Sequence, residues 1–128
     1  MQKRTLFALL AVLAAACSPA AGAARPTPDP ASSAGRGAQL FSGTGRCASC
    51  HALTAGTIIV GPPLAGVASR AGTRVPGMPA EIYLEESILH PNDFLVPGFE
   101  MAQMDSTLAK SLTTTDVADL VAFMQTLQ

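Results

Sequence analysis

Five consecutive residues, Cys47-Ala48-Ser49-Cys50-His51, restrict what this chain can fold into more than any other part of its sequence. The pattern C-x-x-C-H is the attachment sequence of c-type haem. Two thiols three positions apart can form thioether bonds to the two vinyl groups on one edge of a porphyrin. The adjacent histidine then falls beneath the iron as its proximal ligand. We therefore predict one covalently bound haem c, held by Cys47, Cys50 and His51.

Two other chemistries use a close pair of cysteines. A zinc site needs four ligands and commonly uses a second close pair, but the only further cysteine is Cys17, far from the motif. A thioredoxin-type redox pair lies near a βαβ pattern, and no segment here alternates like a strand. One isolated pair is also not the framework of a disulfide-stapled domain. The interpretation as a haem attachment sequence remains.

The rest of the sequence supplies few large side chains for a hydrophobic core, which indicates that a large cofactor fills part of the interior. The chain has five phenylalanines, one tyrosine and no tryptophan, a small supply of large side chains. Residues 52–79 are interrupted by glycine and proline and are predicted to be mostly loop. A compact domain seldom contains so long a loop without regular structure. We therefore expect this loop to pack against a large apolar group inside the fold.

Two helices are predicted on either side of that loop. The first is capped by Ser33 and ends near Phe41. The second runs from about Pro79 to Leu89, since proline is tolerated where the first helical turn has spare donors. Its inward-facing residues are expected to be Ile82, Leu84, Ile88 and Leu89.

A third helix is predicted at the C-terminal end of the sequence. Thr113, with Asp116 three residues later, makes a start that resembles a capping box. Apolar residues then recur at helical spacing along one stripe, at Val117, Leu120, Val121, Met124 and Leu127. The predicted fold is all-α, with three to five short helices and long loops wrapped around one haem.

The N-terminal region has the pattern of an export signal. Residues 1–16 combine a basic start with an apolar run that is too short to span a bilayer as a helix. Ala14-Ala15-Ala16-Cys17 resembles the cleavage box of bacterial lipoproteins, in which the cysteine is lipidated; ordinary cleavage after Ala23 is the alternative. Residues 17–33, rich in proline and alanine, predict a flexible tether, and residues 34–128 form the folded domain. We expect an exported protein, in the periplasm or on the outer side of the cell envelope, anchored by lipid at Cys17.

The charge balance excludes several kinds of partner. The full chain has eight Lys and Arg against nine Asp and Glu, and loss of residues 1–16 removes Lys3 and Arg4, which leaves six against nine. Such a domain has no basic face for nucleic acid or anionic lipid. Membrane contact is therefore expected only through the lipid anchor.

The second axial ligand of the iron has five candidates in the predicted domain: Met78, His90, Met101, Met104 and Met124. Met124 lies on the apolar stripe of the last helix and is expected in the core. Met78 precedes the second helix and is expected to pack in the loop. His90 ends that helix, where a histidine can bond the last carbonyls and favour the helix dipole. Met101 and Met104 remain.

From Gly37 to Leu127 the sequence resembles the class I cytochrome c family. It is most similar to the cytochrome domains associated with haem-copper oxidases and nitric-oxide reductases. The similarity is carried by Leu40-Phe41, Gly61-Pro62-Pro63-Leu64-Ala65-Gly66, Ser69-Arg70-Ala71-Gly72-Thr73-Arg74-Val75-Pro76-Gly77, Tyr83-Leu84, Glu86-Ser87-Ile88, Pro91-Asn92, Val96-Pro97-Gly98-Phe99 and Asp119-Leu120-Val121-Ala122-Phe123. Gly37, Phe41 and Phe123 look like the family's crossing of the first and last helices.

The resemblance implies roles for further residues around the haem. Counting back from the last helix places the family's ligand methionine at Met104, whereas counting forward with a shorter loop would give Met101, which we keep as the alternative. The carbonyl of Pro62 is expected to accept the Nδ1 hydrogen of His51. Arg74 and Tyr83 are expected to bind the haem propionates.

Electron transfer is the function that this resemblance implies. The protein is expected to be a carrier and not an enzyme, moving electrons from a quinol-side donor to a terminal oxidase or reductase. One alternative is a separately anchored cytochrome c subunit of an oxidase or nitric-oxide reductase complex. Another is a haem-based sensor or peroxidase, which would need an open or labile sixth position on the iron.

Overall fold

A computed structural model describes residues 26–128, which form four α-helices and two short 3₁₀ turns without any β-strand. The helices are α1 (Ser33–Ser42), α2 (Val67–Ala71), α3 (Ala80–Leu89) and α4 (Thr114–Met124), and the 3₁₀ turns are Cys47–Ser49 and Leu108–Ser111. The predicted all-α fold is confirmed, with a helix count in the expected range. None of these helices is long and apolar enough to cross a bilayer. The predicted signal, Cys17 and the first part of the tether lie outside the described residues.

Helix α1 is capped by Ser32, so the prediction of Ser33 as the cap is wrong. Ser32 Oγ accepts a hydrogen bond from the Gly35 backbone N–H at 3.0 Å. Ser33 is already helical, and its hydroxyl donates instead to the Asp119 carboxylate on α4. The backbone N–H of Ser32 also donates to the carbonyl of Asp29 at 2.9 Å. A structured turn therefore leads into α1 from residue 29.

Helix α3 begins after Pro79, close to the predicted start, but one of its predicted inward residues is misplaced. Leu84 and Ile88 are buried as expected, and Leu89 packs partly buried against the core. Ile82 is 44% exposed, so its expected burial is wrong. At 3.6 residues per turn, position 82 lies about 200° around the helix from position 84 and faces away from the packed side.

The predicted loop of residues 52–79 contains the short helix α2. Gly66 precedes it with φ of 69°, a left-handed conformation that glycine adopts without steric cost. No side chain caps this helix, so the sequence carries none of the usual start signals. Its residues Val67 and Ala71 are buried in the core.

Helix α4 has the predicted start and the predicted apolar stripe. Thr113 Oγ1 accepts from the Asp116 backbone N–H at 3.1 Å, and Asp116 Oδ2 accepts from the Thr113 backbone N–H at 2.8 Å, which completes the capping box. The residues of the stripe are all buried, although the last of them lies beyond the end of the helix: Val117, Leu120, Val121, Met124 and Leu127. This helix supplies more of the buried core than any other helix.

Helices α1 and α4 cross at the predicted place. A Cβ atom added to Gly37 would lie 2.8 Å from Phe123 Cβ and 2.5 Å from the Asp119 carbonyl carbon, so only glycine permits this approach. The rings of Phe41 and Phe123 pack with centroids 5.5 Å apart. Asp119, only 3% exposed, also receives two hydrogen bonds from the Arg36 guanidinium, at 2.7 and 2.9 Å. The crossing is thus held by packing and by a charge pair.

Candidate functional site

A cavity of about 310 Å³ opens beside the helix crossing, within the range of small-molecule and cofactor sites. The C-x-x-C-H motif, the loop after it, α3, the loop before α4 and α4 itself all contribute to its walls. Its lining is mainly apolar and includes Phe41, Val60, Leu64, Val67, Leu84, Ile88, Phe94, Leu95, Val96, Phe99, Leu120 and Met124. The loops that looked too long for a compact domain therefore pack around one internal space.

The motif presents its three chemical groups to this cavity. Cys47, Cys50 and His51 all line it, because the 3₁₀ turn Cys47–Ser49 folds the segment back on itself. The backbone N–H groups of Cys50 and His51 both donate to the Cys47 carbonyl, at 3.1 and 3.0 Å. Arg46, just before the turn, adopts a left-handed conformation with φ of 56°. The turn brings thiols and imidazole to one wall.

The environment of the Cys47 side chain is unlike that of a redox-active cysteine pair. Burial raises the pKa of the Cys47 thiol above its ordinary value. Reactive cysteines in C-x-x-C redox motifs have lowered pKa values, because the thiolate is the nucleophile. The direction of the Cys47 shift is thus opposite to the one found in such redox motifs.

His51 is held in one tautomer by the loop that follows it. Its Nδ1 lies 2.8 Å from the Pro62 carbonyl oxygen, as the resemblance implies. A carbonyl can only accept, so Nδ1 carries the hydrogen and Nε2 keeps its lone pair. Nε2 makes no hydrogen bond with any residue from 26 to 128. Histidines that bind metals are oriented by this kind of contact.

Gly61 makes room for the His51 ring. A Cβ atom at position 61 would lie 2.6 Å from His51 Cε1 and 3.0 Å from Nδ1, closer than real contacts allow. The glycine in the Gly61-Pro62 segment is therefore a steric requirement of the imidazole position. From the sequence alone, this glycine is a loop signal and part of a resemblance, and it is not assigned this role.

The five candidates for the second ligand are placed very differently. Met104 is half-buried and lines the cavity, whereas Met101 is 97% exposed and does not. His90 is exposed and Met78 packs partly buried against the core, and neither lines the cavity. Met124 borders the cavity from α4 but is part of the buried core, 7% exposed. Met104 is thus the methionine that a loop presents to the cavity.

The residue after Met104 stabilises the turn that follows. Asp105 Oδ1 accepts from the Thr107 backbone N–H at 2.9 Å and from Thr107 Oγ1 at 2.7 Å. These hydrogen bonds lower the pKa of Asp105 below its ordinary value. Asp105 therefore orders the loop just after Met104. The Asn92 amide adds a weak contact, 3.4 Å from the Met104 carbonyl oxygen.

Two polar side chains on one side of the cavity make no hydrogen bond within the part of the chain that the structure describes. Arg74 and Tyr83 both line it, and within residues 26–128 neither the Arg74 guanidinium nor the Tyr83 hydroxyl makes a hydrogen bond. Arg70 also lines the cavity but donates to the carbonyls of Pro63 at 2.6 Å and Ala65 at 2.5 Å. Burial, and then the charge of Arg74, lower the pKa of Arg70. An anionic group here would offset the repulsion between the two guanidinium groups.

Arg70 is a site residue that sequence reasoning did not assign. Its two hydrogen bonds brace the carbonyls just after Pro62, so it supports the segment that orients His51. The signal available in the sequence was a second arginine four residues before Arg74. Spacing alone could not show that the earlier one turns back onto the loop backbone.

The residues present fit a haem. They offer an imidazole with a defined tautomer, a thioether, two thiols on one wall and apolar walls. The Arg74 and Tyr83 side chains add donors that no residue from 26 to 128 uses and that acidic groups can accept from. A sequence model of the family described as Cytochrome c matches residues 34–128. A comparison with curated proteins found no match.

Proposed function

Because this chain belongs to the cytochrome c family, we propose that it is a single-haem carrier that moves electrons from a quinol-side respiratory donor to a terminal oxidase or reductase. The family binds haem c covalently, and Cys47, Cys50 and His51 have its attachment motif. The protein is accordingly a haem electron-transfer protein, and the donor and acceptor are the proposed part.

One observation carries this function: His51, in a fixed tautomer, and Met104 line the same apolar cavity. Bound haem c supplies an iron that gains or loses one electron, and a methionine ligand raises its potential. His51 and Met104 would both bind the iron, and small molecules would then be kept off the metal. A site closed in this way suits a carrier better than a sensor or peroxidase.

Met104 is proposed as the second axial ligand on two grounds. Its side chain lines the cavity, and the loop that carries it is ordered by Asp105 and the following 3₁₀ turn. Met101, the alternative by counting, points its side chain into solvent with 97% exposure. Binding of iron by Met101 would require this loop to rearrange.

Arg74 and Tyr83 are proposed to bind the haem propionates. Both side chains line the cavity, and both have donors that no described residue uses. Carboxylates are natural partners of a guanidinium group. Their negative charge would also relieve the repulsion between Arg74 and Arg70.

The proposed setting is the outer side of the cell envelope. The basic and apolar pattern of residues 1–16 supports export, and the resemblance of Ala14–Cys17 to a lipoprotein box supports a lipid anchor at Cys17. The resemblance to domains associated with haem-copper oxidases and nitric-oxide reductases favours such an enzyme as the acceptor.

Spectroscopy and reoxidation kinetics of the purified holoprotein test the proposal together. We expect low-spin spectra in both oxidation states and no carbon monoxide binding to the ferrous form without denaturant. Respiratory membrane vesicles from the native host should oxidise the ferrous protein in a reaction that an oxidase inhibitor blocks. A high-spin spectrum with ready carbon monoxide binding would refute the carrier function and favour a sensor or peroxidase.

A further inference from the structure

Three consecutive aliphatic residues lie exposed next to the haem attachment motif. Ile58 is 63% exposed, Ile59 50% and Val60 51%. Single exposed apolar residues are common on protein surfaces, but a run of three is costly unless it has a function. None of the three belongs to the hydrophobic core. We call residues 58–60 the apolar loop.

The apolar loop is attached directly to the motif. The backbone N–H groups of Val60 and Gly61 both donate to the Cys50 carbonyl, at 3.2 and 3.0 Å. Val60 lines the cavity while half of its side chain is open to solvent. A protein that covers this loop would therefore come close to whatever fills the cavity.

The surroundings of the loop define the chemistry of its partner. No residue from 47 to 69 is Asp, Glu, Lys or Arg, and the flanking charges are Arg46 and Arg70. A partner surface that matches this segment is apolar and uncharged. Electrostatic attraction would then contribute little to the association rate. In complexes formed by complementary charged patches, by contrast, such attraction speeds association.

The size of the patch favours a short-lived complex. Three half-exposed aliphatic side chains offer far less than the about 800 Å² per partner that a stable interface buries. Weak redox encounters lie at the low end of interface sizes. A second copy of this chain in a stable dimer would need a larger surface.

We propose that the apolar loop, residues 58–60, is the docking surface for a redox partner protein that presents an apolar, uncharged face. The proposal rests on the electron-carrier function proposed above and adds the chemistry of the partner. The loop brings the partner to the motif side of the cavity and releases it readily.

The test compares the double variant Ile58→Ser/Ile59→Ser with Ile82→Ser, which removes a similarly exposed isoleucine on α3 that does not line the cavity. Both ferrous holoproteins are mixed with respiratory membrane vesicles from the native host, and the second-order rate constant of oxidation is measured. Because a few contacts carry most of the binding energy of an interface, we expect this rate constant to fall at least about tenfold in the double variant. It should not change in Ile82→Ser. Between about 20 and 300 mM salt the wild-type rate constant should change less than about twofold.

Further readings separate failure of the docking surface from failure of the proposed function. Ferricyanide, a small oxidant that needs no docking surface, should oxidise all three proteins equally. An unchanged rate in the double variant, or a steep fall of the wild-type rate with salt, would overturn the docking proposal. Wild-type protein that ferricyanide oxidises but vesicles do not would overturn the proposed function, and the docking surface with it.

Other occupants of the loop are tested directly. Sedimentation with protein-free liposomes of phosphatidylethanolamine and phosphatidylglycerol would reveal a lipid-binding loop, and analytical ultracentrifugation would reveal a dimer. Liposome binding or dimerisation that the double variant abolishes would refute a redox partner as the occupant. Wild-type protein that remains monomeric and does not bind the liposomes would support a redox partner as the occupant.

Discussion

Replacement of Gly37 by alanine sets two effects of opposite sign against each other. Alanine is a better helix former than glycine, which favours the variant by about 1 kcal/mol in a helix interior. The added Cβ, however, would lie 2.5 Å from the Asp119 carbonyl carbon and 2.8 Å from Phe123 Cβ. Ordinary contact begins at 3.4 Å, and the Cβ would lie closer still to the Asp119 carbonyl oxygen, so α1 and α4 would have to separate by more than about 0.9 Å.

That separation costs more than the helix propensity gains. A gap of about 0.5–1 Å removes a quarter to a half of the dispersion energy between facing atoms. The atoms that collide are backbone and Cβ atoms, which cannot rotate away, so we place the cost near the upper end of overpacking, about 3 kcal/mol. The net loss is about 2 kcal/mol, which corresponds to a fall in Tm of about 8–16 °C for a domain of this size.

Thermal unfolding of the holoprotein, followed by far-UV circular dichroism, measures this difference. Gly72→Ala is the matched control, because Gly72 has φ of −71° and an added Cβ would meet nothing closer than 3.6 Å. The control should be as stable as the wild type or more stable by about 0.4–1 kcal/mol. A Gly37→Ala protein that melts at or above the wild-type Tm would refute the steric argument.

Three further predictions concern the cavity and the helix crossing. Met104→Ala should abolish the far-red sulfur-to-iron charge-transfer band of the oxidised protein, and Met101→Ala should retain it. Gly61→Ala should lower the free energy of unfolding, measured by urea denaturation, by about 1–3 kcal/mol, because the added Cβ would lie 2.6 Å from His51 Cε1. Hydrogen bonds from Arg36, and to a smaller extent from Ser33, lower the pKa of Asp119 in the folded protein. The stability that these bonds contribute is fully present above the unfolded pKa of Asp119, about 3.9. It is lost as the pH falls through the lower pKa of the folded protein. Urea midpoints between pH 7 and pH 2 should show this loss, and Asp119→Asn should remove that part of the acid dependence.

Each of these predictions has a control and a contrary result. A charge-transfer band that survives in Met104→Ala and disappears in Met101→Ala would show that Met101, and not Met104, binds the iron. The Gly72→Ala protein controls for the loss of a glycine, and a Gly61→Ala protein as stable as wild type would show that the His51 ring can move without cost. Asp93→Asn removes an exposed carboxylate, and an acid dependence that changes equally in both Asn variants would contradict the assignment to Asp119.

Several parts of the fold could be predicted because their signals lie within a few residues. The capping box of α4 needs only Thr113 and Asp116, and its buried stripe follows from helical spacing. The start of α3 after Pro79 follows from the restricted backbone of proline. Interactions of this range are nearly independent of the rest of the molecule.

The errors arose where a distant segment competed with local preference. Ser32 and Ser33 are equally good caps by sequence, and Asp119 on α4 decides between them by taking the hydroxyl of Ser33. Ile82 was expected inside because it is apolar, but the face of α3 that packs against the core is set by Leu84 and Ile88. Which serine caps α1 cannot be read from neighbouring residues, whereas the exposure of Ile82 follows from helical spacing once Leu84 and Ile88 face the core.

The sequence by itself determined the cofactor chemistry, because covalent attachment requires two thiols and a histidine at short, fixed spacing, and Cys47 to His51 contain them all. Only the tertiary structure decided which methionine shares a cavity with His51 and which lies in solvent, since Met101 and Met104 are three residues apart in one loop. It also decided that Arg70 braces the loop backbone, while the Arg74 guanidinium makes no hydrogen bond with residues 26–128. The physical reason is that side-chain chemistry belongs to a residue, whereas burial and partners depend on how segments far apart in the chain pack together.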